Sequence, residues 1–115
     1  MKILIAGGRD FDDEELMAST LGGVPRDTII ISGTARGADQ MGERWAEARG
    51  MTVERYPADW DKHGKAAGHI RNQQMLDEGK PDLVVVFPGG KGSQSMVLKA
   101  RKAGVGTMTP GWEVK

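Results

Sequence analysis

Three short stretches carry the residue types best suited to chemistry: Gly7-Gly8-Arg9-Asp10-Phe11, Ser32-Gly33-Thr34-Ala35-Arg36-Gly37-Ala38-Asp39 and Pro88-Gly89-Gly90-Lys91-Gly92-Ser93. Each combines glycine with a cationic residue. Glycine lets backbone N–H groups approach a ligand closely and adopts positive φ without strain. An arginine fork or a lysine ammonium supplies charge for a phosphate or carboxylate. One glycine pair could serve only as a tight turn. Three loops of one character point instead to an anion cradle, provided the fold brings them together.

The flanking sequence supplies elements that can do so. Lys2–Ala6, Asp27–Ser32, Thr52–Tyr56, Asp82–Phe87 and Val105–Thr109 read as strands. Most are near-continuous apolar runs, as expected of strands buried on both faces of a parallel sheet. Thr52–Tyr56 is shorter and more polar, which suits an edge, and Asp82–Phe87 is the most hydrophobic, which suits the centre. Between the strands, Asp12–Leu21, Arg36–Arg49, Lys65–Glu78 and Ser93–Lys102 show helical stripes such as Leu16, Met17, Thr20 and Leu21. Pro57–Gly64 reads as a loop. Strict alternation predicts an α/β, Rossmann-like three-layer sandwich with a five-stranded parallel sheet. With right-handed crossovers the expected strand order is 3-2-1-4-5, in one domain spanning residues 1–115.

In such a sheet, ligands bind beyond the carboxyl ends of the strands where the winding reverses, here between strands one and four. The loops after these two strands flank that point, and the loop after strand two opens on the same edge. The helix starts differ in charge. The first opens on Asp12, Asp13, Glu14 and Glu15, which would repel a phosphate. The fourth opens on Lys91, Gly92, Ser93, Gln94 and Ser95, with no acid. A helix N-terminus offers free N–H groups and partial positive charge. The phosphate is therefore expected on Pro88, Gly89, Gly90, Gly92 and Ser93, with Arg9 and Arg36 adding charge. Gly7, Gly8 and Asp10, with Ser32, Gly33 and Gly37, would line the remainder of a phosphorylated ligand.

Composition narrows the function. Sixteen basic and sixteen acidic residues among 115 leave no formal net charge, which argues against a duplex-DNA binder working by phosphate neutralisation. There is no cysteine, so no disulfide or thiolate chemistry. His63 and His69, the only histidines, are six residues apart and would fall on different helix faces, so no metal is expected, and no bound cofactor. No run approaches a membrane span, and the N-terminal run is too short for a signal peptide, so a cytoplasmic protein is expected. Neither G-x-x-x-x-G-K-[ST] nor G-x-G-x-x-G occurs, which argues against an ordinary NTPase or dehydrogenase.

The three loops, together with Ala67-Gly68-His69-Ile70-Arg71-Asn72, resemble the SLOG superfamily in its YspA-like (cpYpsA-related) branch. The likeness runs from Ile3 to about Thr107. It implies a Rossmann-like domain that binds nucleotides or nucleotide-derived signals, commonly as a homodimer or higher homo-oligomer. The Lonely Guy phosphoribohydrolases of that superfamily carry P-G-G-x-G-T-x-x-E and R-K-x-x-M. Arg71-Asn72-Gln73-Gln74-Met75 is similar to the arginine motif, and Pro88–Ser93 to the phosphate loop with Ser93 for threonine. The glutamate position falls on Met96, which can neither activate water nor stabilise an oxocarbenium-like centre.

The leading expectation is a module that binds a nucleotide or nucleotide-derived small molecule, with Arg71 and Asn72 at the ligand. A nucleoside-monophosphate glycosidic hydrolase is the alternative, with Arg71 and a substitute acid, Asp10 or Asp39. Either aspartate could instead serve as a helix cap. A single-stranded DNA or scaffolding role, suggested by the DNA-processing protein A family of the same superfamily, fits the neutral charge least. Trp60 could stack on a base or pack on the third helix. Met41, Trp45 and Met75 could face a twofold partner or the core.

Overall fold

The computed structural model describes residues 1–114. Its elements are β1 (Lys2–Ala6), α1 (Glu14–Leu21), β2 (Ile29–Ser32), α2 (Ala38–Glu47), β3 (Val53–Arg55), α3 (Trp60–His63), a 3-10 turn (Gly64–Ala66), α4 (Ala67–Asp77), β4 (Leu83–Val86), α5 (Lys91–Lys102) and β5 (Gly106–Met108). The strands form one all-parallel sheet in the order 3-2-1-4-5, the α/β, Rossmann-like arrangement that the alternation implies. β1 is central, pairing Ile3 with Ile30 on one side and with Leu83 on the other.

Side chains alternate across each strand, and the sheet divides the core accordingly. Ile3, Ile5, Ile30, Val85 and Phe87 pack under α1 and α2 with Met17, Leu21, Met41 and Trp45. Leu4, Ala6, Ile31, Val84 and Val86 pack under α4 and α5 with Met75, Met96 and Val97. Met41 and Trp45 therefore belong to one core and Met75 to the other, all buried within the chain. Among the described residues no helix is long and apolar enough to cross a membrane.

One short helix and several helix boundaries differ from the sequence expectation. The segment 57–64 contains α3, started by Asp59, whose side chain accepts a hydrogen bond from the Lys62 N–H at 3.1 Å. The next helix begins at Ala67, because residues 64–66 close into the tighter turn first. At α1 the cap is Asp13, accepting from the Leu16 N–H at 3.0 Å. Asp13→Ala should cost about 1 kcal/mol and lower the melting temperature by about 4 °C, as read by thermal denaturation.

Candidate functional site

The three glycine loops meet at Gly8. Its N–H donates to the Pro88 carbonyl at 3.0 Å, and its own carbonyl accepts from the Phe11 N–H at 3.3 Å and the Ala38 N–H at 3.1 Å. Two glycines make this approach possible. Gly7 has φ +155°, and a Cβ there would stand 2.7 Å from the Ala38 Cβ. Gly37 has φ +82°, and a Cβ there would collide with the Gly8 carbonyl oxygen.

Around this junction lies a cavity of about 410 Å³. Gly7, Gly8 and Arg9 form one wall, and Gly90, Gly92 and Ser93 at the start of α5 form another. Lys65, His69, Arg71 and Asn72 approach from the 3-10 turn and α4, and Asp39 from α2. Gly90 caps α5 without a side-chain hydrogen bond. Ser93, 7% exposed, stands on the same wall. The N-terminus of α2 is different, because Gly8 already occupies the Ala38 N–H. Met96, at the glutamate position of the hydrolase motif, is buried on the same cavity wall.

Arg71 is the best-anchored cation. One Nη1–H donates to the Gly33 carbonyl, and Nε–H donates to Asn72 Oδ1 at 2.9 Å. Burial lowers its pKa from the ordinary value, Asp39 opposes that shift, and Arg9 adds to it. Asp39 is 6% exposed and accepts from the Ala35 N–H at 3.2 Å. Burial raises its pKa from 3.8 to about 6, against the attraction of Arg71 and the Ala35 hydrogen bond. Asp39 thus lies at the cavity as a carboxyl whose pKa burial raises to about 6.

The other expected site residues are dispersed. Gly33 and Arg36 line a second cavity of about 410 Å³ beside the first, with Thr34, Pro57 and Ala58. Ser32 is fully buried. Its hydroxyl donates to Glu43 at 2.6 Å and accepts from the Thr34 N–H at 3.1 Å, tying β2 to α2. Asp10 borders neither cavity. Its side chain is 98% exposed and lies 3.6 Å from that of Arg36, a pair that solvent largely screens. Pro88, Gly89 and Gly37 shape the loops from behind: they border neither cavity, and a Cβ on Gly89 would strike the Ser93 hydroxyl.

Sequence reasoning did not assign Lys65 or His69 to the cavity, nor the strained Thr34. The i, i+4 spacing of Lys65 and His69 and their closeness to Arg71 were the available signal. Thr34 has φ +65°, which costs a β-branched residue about 1–3 kcal/mol. Ser32 holds its N–H and Gln40 its carbonyl, at 3.3 Å.

A family model described as "YspA, cpYpsA-related SLOG family" matches residues 1–63, more than half of the chain. The chain belongs to this family. Within this SLOG chain the matched segment runs from β1 to the end of α3, so it holds the first two glycine loops, while Arg71 and the α5 loop follow it. The chain is also similar to the "Gene 61 protein" of Mycobacterium phage D29, at 36% identity over 115 residues, covering 90% of this chain and 91% of that one.

Proposed function

We propose that this SLOG domain binds a phosphorylated nucleotide or nucleotide-derived small molecule, with a phosphate at the start of α5. The carrying observation is the charge around the first cavity. In a chain with no net charge, Arg9, Lys65 and Arg71 surround it, and Asp39 is the one carboxyl in its lining among the described residues. That buried carboxyl is half neutral near pH 6. Unused N–H groups of the first turn and the Ser93 hydroxyl add donors to this positive field.

Gly92→Glu tests the placement with opposite effects on folding and binding. A Cβ at Gly92 meets nothing within 4 Å. Replacing glycine in a first turn by glutamate should stabilise the helix by about 0.5–1 kcal/mol. The added carboxylate would lie where the phosphate sits, so affinity for nucleoside 5′-monophosphates should fall at least tenfold, as read by titration calorimetry. Unchanged affinity would move the phosphate elsewhere.

Asp39 favours a second reading, hydrolysis of a nucleoside-phosphate glycosidic bond. A carboxyl with pKa about 6 can donate a proton to a departing base while water attacks the sugar carbon. Incubation with nucleoside monophosphates should then release free base and ribose phosphate, and Asp39→Asn should stop turnover while binding persists. Intact nucleotide after long incubation would rule this reading out.

A further inference from the structure

The two cavities share a wall. Arg9, Ala35, Trp60 and Arg71 line both, and each cavity holds about 410 Å³. Small-molecule sites span roughly 300–1,000 Å³, so either cavity alone lies near the low end and the pair near the top. Their linings differ. The first carries the phosphate-suited groups Lys65, Asn72, Gly92 and Ser93; the second carries Thr34, Arg36, Pro57 and Ala58. Both guanidiniums of the shared wall can therefore act on whatever passes between the lobes.

Trp60 marks that passage. The residue is 49% exposed, and the Arg9 guanidinium carbon lies 5.7 Å from the centroid of its ring. A cation over an aromatic face is held by the ring quadrupole. The contact keeps Arg9 at the divide and leaves an indole surface available for stacking. Arg71 is held there by Gly33 and Asn72. Cationic groups at the middle of a two-lobed space call for an anionic middle in the ligand.

We infer that the two cavities form one two-lobed site for a nucleoside diphosphate conjugate, with its two phosphates running from the start of α5 to the Arg9–Trp60–Arg71 divide and the conjugated polar group in the lobe lined by Thr34, Pro57 and Ala58. This rests on the reading of the first cavity as a phosphate site and adds the class of ligand. Trp60 is then a specificity-determining residue, since it borders both halves of the ligand.

The test compares each nucleoside monophosphate with its sugar conjugate by titration calorimetry: AMP with ADP-glucose, UMP with UDP-glucose, GMP with GDP-mannose. For at least one base the conjugate should bind at least tenfold more tightly. Ala58→Phe, which fills the second lobe, should abolish that advantage and leave the monophosphate affinity in place. Arg36→Ser, at a largely exposed side chain, should act in the same direction without disturbing the fold. Gly92→Glu should weaken both ligand types. Conjugate and monophosphate binding alike, or an advantage that survives both second-lobe variants, would overturn the two-lobed site while leaving the phosphate site standing. No binding of either type at millimolar concentration would overturn both.

Discussion

Arg71→Met is expected to lower nucleotide affinity about 100-fold, equivalent to about 2.7 kcal/mol. Methionine approximates the length of the stem and removes the fork. The fork matters because its position is imposed from two directions, by the Gly33 carbonyl at the end of β2 and by Asn72 Oδ1 on α4. An arginine held this way has little side-chain freedom left to lose on binding, and hydrogen bonds to a charged group are worth about 1.5–3 kcal/mol. Arg71→Lys should be intermediate, because an ammonium keeps the charge but cannot satisfy two anchors and still present donors to a ligand. A second readout follows from Asp39. Arg71 holds its pKa down against burial, so in Arg71→Met the carboxyl should titrate above its present value of about 6, as NMR of the side-chain carboxyl would show. Unchanged affinity would remove Arg71 from the site, and an unmoved Asp39 titration would deny the electrostatic coupling between them.

The sequence reveals the architecture because apolar strands, helical stripes and glycine breaks agree at every step. Five strand-like runs separated by helices, three of them buried, admit few topologies, and the loops after β1, β2 and β4 must then share an edge. Their meeting at Gly8 is a consequence of that order. Individual side chains are less legible. Ser32 stands among glycines in a ligand-like loop, but its hydroxyl bonds to Glu43, a carboxylate eleven residues away on another element. Asp10 has the chemistry of a substitute acid, but its loop turns it into solvent beside Arg36. Lys65 and His69 reach the cavity because α3 and the 3-10 turn bring the start of α4 against the β1 loop. A four-residue helix has no periodicity by which to announce itself. The left-handed Thr34 leaves no sequence mark either, since a β-branched residue is the last choice for that conformation.

Asp39→Asn is expected to stabilise the protein at pH 7 by up to about 3 kcal/mol, raising the melting temperature by about 12 °C. The unfolded chain releases this proton near pH 3.8 and the folded chain near 6. Between those values the folded state holds more protons than the unfolded state. On account of this group, stability therefore falls as pH rises from about 4 to about 6, and stays lower above that. Asparagine keeps the shape, can still accept from the Ala35 N–H and has no charge to bury. Thermal denaturation of both proteins at pH 4 and pH 7 checks the sign. The gain should be present at pH 7 and largely gone at pH 4, where aspartate is itself neutral. A gain equal at both pH values would mean that packing, and not the buried charge, sets the cost. The cost has a place in the proposed function. Asp39 adjoins the cavity and interacts with Arg71, so its carboxylate opposes the positive field where the phosphate is placed. Proton uptake removes that opposition. If the site holds an anion, binding should draw a proton onto Asp39, and the buffer dependence of the binding enthalpy should show that uptake in the wild type and lose it in Asp39→Asn.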